Sequence, residues 1–119
     1  MSAPVIVFGR DDSAATRAAL RFFKERRIAV QYSDLRGRPM AAGELRRFVE
    51  RLGAGAMADR EGRAWRDAGL DYLRISADEL AERLLADKRL LRLPLVRHGN
   101  AFAAGPDEAA WRVMAASAA

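Results

Sequence analysis

The sequence predicts an α/β fold built on a small four-stranded mixed sheet, and three observations carry that expectation. Val5-Ile6-Val7-Phe8 is a continuous β-branched and aromatic run, the pattern of a strand buried on both faces. A helical pattern and a second strand pattern follow it at the spacing of a βαβ unit. Nearer the C-terminus, Pro94-Leu95-Val96 and Ala101-Phe102-Ala103 bracket His98-Gly99-Asn100, which is the signature of a β-hairpin. At 119 residues, half of them hydrophobic, the chain has the length and apolar content for a single domain, 1–119.

Each element has its own local warrant. A helix is predicted over 13–27, with Ala19, Leu20 and Phe23 on one stripe and Arg17, Arg21 and Lys24 opposite. That basic stripe is read as a solvated face, its functional alternative being a docking face for a partner. Alternation of Ile28, Val30 and Tyr32 predicts the second strand over 28–32, reached by a right-handed crossover. Gly37-Arg38-Pro39 marks a loop. Leu45, Phe48, Val49 and Leu52 then fall at i, i+3, i+4 and i+7, with Gly53 as a natural stop. The stretch 54–69 favours helix but is broken by Gly55 and Gly62. Ser76 with Glu79 three residues on forms a capping box ahead of Leu80, Leu84 and Leu85. A final helix is expected from about Pro106, in its first turn, through Trp111 and Met114. Phe22, Phe48, Trp65 and Trp111 each lie on an apolar helical face and are assigned to packing.

Strand, helix, strand, a helical stretch, hairpin and helix is the thioredoxin-like, glutaredoxin-type plan. Its core falls at about 3–34 and 92–116, with an inserted helical segment at about 40–90. Pro94 fits, because a proline that cannot donate to the ladder belongs at the first position of a strand or at an edge. In such folds that proline is usually cis and faces the loop after the first strand, here Gly9-Arg10-Asp11-Asp12-Ser13.

Composition excludes much chemistry. The chain has no cysteine, hence no disulfide, no thiolate nucleophile and no Cys-ligated metal. Its one histidine, His98, leaves no His pair for zinc. No metal or other cofactor is therefore expected. A net charge of +5 and a pI near 10.6 invite a nucleic-acid reading. However, the cations are nearly all Arg beside abundant Ala, and acids are interleaved with them, as in Glu25-Arg26-Arg27. Solvated helix faces account for that pattern, and nucleic acid is not the expected partner. With no apolar run near the roughly 20 residues of a membrane span, and no charged-then-apolar leader pattern, a soluble cytoplasmic protein is expected.

Several segments, in order along the chain, resemble the arsenate reductase (ArsC) family and its relatives, the Spx regulators. Val7-Phe8-Gly9 followed by Ser13-Ala14-Ala15-Thr16-Arg17 is similar to the family's strand, loop and C-x-x-x-R helix start. Arg60-Glu61-Gly62-Arg63-Ala64-Trp65-Arg66 resembles its R-G-T-T-W-R/K segment. Asp87 through Val96, with Pro94 near its end, resembles N-P-x-L-I-K-R-P-I-V, and Gly105-Pro106-Asp107-Glu108 its final R/K-P-E turn.

The resemblance implies a thiol chemistry that this chain departs from. Ser13 stands where the family has the cysteine that attacks arsenic and is regenerated by glutathione or a second thiol. A serine hydroxyl forms no disulfide, and as an acyl-transfer nucleophile it would need an adjacent base. His98 lies four residues beyond Pro94, roughly 13 Å along a strand, and is expected to be merely exposed. The family's oxyanion arginines are implied at positions that hold Glu61, Leu93 and Gly105 here. Arg60 and Arg92 sit one residue away, a shift that reverses the face on a strand. Arg17 stays in place. Asp11 and Asp12 occupy the approach to a helix N-terminus, and with Ser13 their first reading is helix capping. The expected vestigial pocket is thus Arg10, Asp11, Asp12, Ser13, Arg17, Arg60, Arg92 and Pro94, with no catalytic residue.

A non-catalytic binding or regulatory protein is the expected function. By likeness to Spx, the alternative partner is RNA polymerase, with the Spx C-x-x-C pair falling on Ser13 and Thr16. A third reading is a glutathione-binding, transferase-like enzyme in which Ser13 donates a hydrogen bond to the glutathione thiolate. Pro94 would then pair with the tripeptide backbone.

Overall fold

Parallel pairing of two strands across one helix organises the sheet in the computed structural model, which describes residues 3–119. Strand β1 (Val5–Gly9) pairs in parallel with β2 (Val30–Asp34) in a register that sets Val7 against Tyr32 and Gly9 against Asp34. On its other side β1 pairs antiparallel with β3 (Leu95–His98), with Val7 opposite Val96. The hairpin from β3 to β4 (Ala101–Ala104) completes the order β2-β1-β3-β4. Gly99, at φ 58°, supplies the left-handed residue of its turn. His98 belongs to β3 rather than to the turn, and its Nε2 lies 3.0 Å from the Ala3 carbonyl oxygen. The ring is thus tied to the backbone ahead of β1, not simply exposed.

The mixed four-stranded sheet agrees with the expected fold class, and several element boundaries differ. Helix α1 runs Ala14–Glu25 with Ser13 as its cap, shorter than 13–27. Arg27 takes a left-handed conformation, φ 57°. The Arg27 N–H donates to the Lys24 carbonyl and the Ile28 N–H to the Phe23 carbonyl, both at 3.0 Å. This is a Schellman closure built on arginine instead of glycine. It uses up the residues after the helix, so β2 starts at Val30 and not at Ile28. At the other end, α6 (Glu108–Ala118) is capped by Asp107, whose carboxylate accepts from the Ala110 N–H. Pro106 therefore precedes the cap and does not occupy the first helical turn.

The chain divides into two compact units. The first comprises the chain up to Met40 together with Leu93–Ala119. Its core joins Val5, Val7 and Val96 of the sheet to Ala19, Phe22 and Phe23 of α1 and to Trp111 and Met114 of α6. Phe22 and Phe23 meet edge to face with ring centroids 5.2 Å apart, and Trp111 tilts against both. The Leu93–Pro94 peptide is cis, and Pro94 is buried immediately ahead of β3.

The second unit, Ala41–Arg92, holds α2 (Ala42–Leu52), α3 (Ala54–Met57), α4 (Arg63–Asp67) and α5 (Ala77–Ala86). Gly53 ends α2 at φ 81°. Leu45, Phe48, Met57, Trp65 and Leu84 are buried, in line with the packing roles given to Phe48 and Trp65. Ser76 caps α5 by accepting from the Glu79 N–H, while the Glu79 carboxylate turns to Arg83. Among the described residues no helix is long and apolar enough to cross a membrane.

Candidate functional site

Where β1 ends, the chain must pass very close to the first turn of α1. A Cβ on Gly9 would run into the Thr16 hydroxyl and methyl, and Thr16 is fully buried. Only glycine lets the strand deliver the next residues onto the helix start. Ser13 Oγ then accepts from the Thr16 N–H at 3.1 Å, and the Ser13 carbonyl accepts the Arg17 N–H. Ser13 is a helix cap in ordinary geometry.

The charges around this cap are matched to one another. Arg10 forms a two-point contact with Asp12, at 3.0 and 2.9 Å. The parallel register places Asp34 beside Gly9, where its carboxylate meets the Asp11 N–H at 3.4 Å and the Arg36 N–H at 2.9 Å. The Arg36 guanidinium reaches Asp34 at 3.3 Å, Asp12 at 3.8 Å and Asp11 at 3.9 Å. Tyr32, opposite Val7 in the register, donates its hydroxyl to Asp11 at 2.8 Å. Arg17 donates to the Asp11 main-chain carbonyl at 2.9 Å. Three carboxylates thus interleave with three guanidiniums and a phenol at the carboxyl ends of two parallel strands.

Ionisation follows these contacts. The Arg10 hydrogen bond holds Asp12 below the usual carboxylate range. The Arg36 backbone N–H, then its side chain, does the same for Asp34, and Asp34 in turn raises Arg36. Burial, then the hydrogen bond to Asp11, pushes Tyr32 above its ordinary value. Each shift favours the form present near neutral pH.

The structure thus brings Arg10, Asp11, Asp12, Ser13 and Arg17 together. Pro94 lies in the same unit, and its carbonyl accepts the Gly105 N–H at 2.9 Å. Arg60 and Arg92 belong to the helical unit. There, the Asp59 N–H donates to the Leu90 carbonyl and the Arg92 N–H to the Met57 carbonyl, joining their two segments. The Arg60 guanidinium stacks over the Trp65 ring at 4.8 Å, a structural use of that charge. Gly105 has φ 76°, so an arginine in its place would adopt a backbone conformation that side chains disfavour. Among the described residues no group of three or more His, Asp or Glu is placed to hold a metal ion.

Sequence reasoning missed Tyr32, Asp34 and Arg36 at this site. It named Thr16 only as the second position of the Spx C-x-x-C pair, not as the buried side chain packed against Gly9. Ending the second strand at Tyr32 left Asp34 outside the sheet. The available signal was Asp34-Leu35-Arg36-Gly37, whose Asp is of the type that bonds its own backbone two residues on.

A comparison with curated proteins finds no match. Solved structures agree closely in shape. An arsenate reductase from Vibrio cholerae superposes with a TM-score of 0.80 at 17% identity, over 96% of this chain and 99% of its own. A putative ArsC family related protein from Bacteroides fragilis gives 0.83 at 14% identity, over 96% and 99%. An arsenate reductase (ArsC) related protein from Brucella melitensis gives 0.70 at 18% identity, over 95% of each chain. At these identities the likeness establishes the thioredoxin-like fold and nothing more. The ArsC family profile matches residues 8–114, most of the chain's length. With that match and the shared fold, this cysteine-free chain belongs to the ArsC family.

Proposed function

We propose that this chain is a redox-silent member of the ArsC family that acts by binding, in a regulatory role, and not by turnover. One observation carries the reading. The sequence contains no cysteine, and Ser13, which by the resemblance stands in the family's cysteine position, has its Oγ serving as the α1 cap. Arsenate reduction of this type needs a sulfur that attacks arsenic and then passes through a disulfide or mixed disulfide. A hydroxyl neither makes that bond nor carries the electrons. The matched charges around Ser13 support the same reading. Arg17 serves a backbone carbonyl, while Arg10 and Arg36 face carboxylates of their own chain. Arg10, Asp11, Asp12, Ser13 and Arg17 are on this account the remnant of a site.

The test is arsenate incubated with the protein and either glutathione with glutaredoxin or thioredoxin with its reductase. The expected arsenite yield equals the blank without the protein, and turnover above that blank overturns the proposal.

Glutathione binding has one feature in its favour, since Ser13 Oγ accepts a hydrogen bond as a cap and still has its own proton to donate. Against it, Arg10, Arg17 and Arg36 are already engaged by Asp12, the Asp11 carbonyl and Asp34, so an anionic tripeptide would have to displace those partners. Calorimetric titration with glutathione is expected to show no binding heat, and saturable heat lost in Ser13→Ala would favour the transferase-like reading.

A further inference from the structure

We infer that the exposed face of α1 is the docking surface of this protein for an acidic, amphipathic protein segment. The inference rests on the binding reading above and names the chemistry of the partner. Between Ala14 and Arg27 the chain carries Arg17, Arg21, Lys24, Arg26 and Arg27 against the single carboxylate of Glu25, a surplus of four in a chain whose net charge is +5. Every other helix of comparable length pairs an arginine with an acid on its own surface: Glu44–Arg47 in α2, Glu79–Arg83 in α5 and Glu108–Arg112 in α6. On α1, among the described residues, Arg21, Lys24, Arg26 and Arg27 have no carboxylate partner. Arg26 donates to the Phe22 carbonyl and lies over the Phe22 ring at 3.6 Å, which holds its cation against the helix. Arg17, Arg21 and Lys24 follow one another at turn spacing, a row about 10 Å long.

This row stands between two grooves of the same unit. One, of about 430 Å³, has Ala18, Phe22, Pro106 and Trp111 beneath Arg21 and Arg26. The other, of about 420 Å³, has Leu20, Ile28 and Val30 beside Lys24 and Arg27. A cationic ridge flanked by partly apolar grooves complements a segment with carboxylates along its middle and apolar side chains to either side. A nucleic acid fits less well. Glu25 and Glu108 line the first groove and oppose a continuous phosphate track.

The experiment titrates the whole protein with three fluorescein-labelled probes at low and moderate salt. They are an amphipathic Glu/Leu peptide about four helical turns long, an oligoglutamate of equal charge, and a single-stranded oligonucleotide of equal charge. Amide chemical shifts of the labelled protein locate each contact. The Glu/Leu peptide is expected to bind tightest, with shifts confined to residues 17–30 and 106–111. Arg21→Glu with Lys24→Glu, both at exposed positions, is expected to weaken it about tenfold while leaving the remaining amide spectrum unchanged. Equal or tighter binding of the oligonucleotide overturns the inference in favour of a nucleic-acid surface. Equal binding of oligoglutamate shows that the grooves are unused and overturns it as well. Shifts elsewhere, or absent binding, do the same. Failure of the peptide to bind a protein that reduces no arsenate removes this inference alone, whereas arsenate turnover removes the reading beneath it.

Discussion

The two ends of α1 draw on the same arginine-rich composition and dispose of it differently. At the N-terminal end Arg10, Arg17 and Arg36 are each satisfied by Asp11, Asp12 or Asp34, through side chains or a backbone carbonyl. At the C-terminal end Arg21, Lys24 and Arg27 meet no acid of their own chain among the described residues. The first arrangement is self-neutralised, so an incoming oxyanion would have to displace existing partners. The second leaves charge available to another molecule. Position along one helix thus separates a charge cluster closed on itself from cations that meet no acid of the chain among the described residues.

The comparison breaks most severely if the N-terminal end is not rigid. Gly9→Ala places a methyl against the buried Thr16 side chain and is expected to cost about 1–3 kcal/mol in chemical denaturation. A loss below the error of the measurement would mean that strand and helix part freely. Ser13→Ala removes the cap to Thr16 and is expected to cost about 1 kcal/mol. If Ser13 serves as a ligand group and not as a cap, denaturation will not register the change.

At the other end, Arg27→Gly relieves the left-handed strain at φ 57° and is expected to stabilise by about 1 kcal/mol, read as a higher denaturation midpoint. Destabilisation there would show that the Arg27 side chain holds the end of α1 through contacts beyond its backbone.

A smaller effect appears in acid. Asp12 and Asp34 ionise more readily in the folded chain than in the unfolded one. Their contribution is complete above the ordinary carboxylate range, near about 4, and is lost as pH falls through the depressed folded values. Tyr32 acts in the opposite direction. Its raised value adds stability below its ordinary titration near about 10, which is withdrawn as pH rises beyond it. Asp12→Asn with Asp34→Asn should flatten the acid limb of a stability–pH profile, and Tyr32→Phe the alkaline limb. Unchanged limbs would sink the claim of a matched network.

The smallest expected effect is the most pointed. In Ser13→Cys the helix start and Arg17 lower the thiol, while Asp11 and Asp12 oppose them, so alkylation against pH should show only slight acidification from about 8.5. Arsenite production is expected to stay at the blank, because the resemblance implies family arginines at the positions that hold Glu61, Leu93 and Gly105 here. Robust turnover from this single change would show that the site lacks only one atom.

What lay in local pattern was legible. Val5–Phe8 as a strand, Ser13 and Ser76 as caps, Gly53 as a stop, and Trp65 and Trp111 as core all follow from neighbours a few residues away. However, β1 buries only its Val5 and Val7 face and leaves Ile6 and Phe8 half-buried, not both faces as expected. The hairpin was legible for the same reason, since Gly99 and its flanking strands announce it locally. The start of β2 was not, because the αL closure at Arg27 uses a residue that carries no glycine-like signal.

By itself, then, the sequence determined the strand and helix pattern and excluded thiol chemistry, since composition and short-range periodicity suffice for both. Tertiary structure alone decided which charges meet. The β1–β2 register brings Asp34 to Gly9 across 25 residues, and with it Tyr32 and Arg36 to Asp11. Pairing over that distance depends on how two strands and the helix between them close together, and no local spacing encodes it.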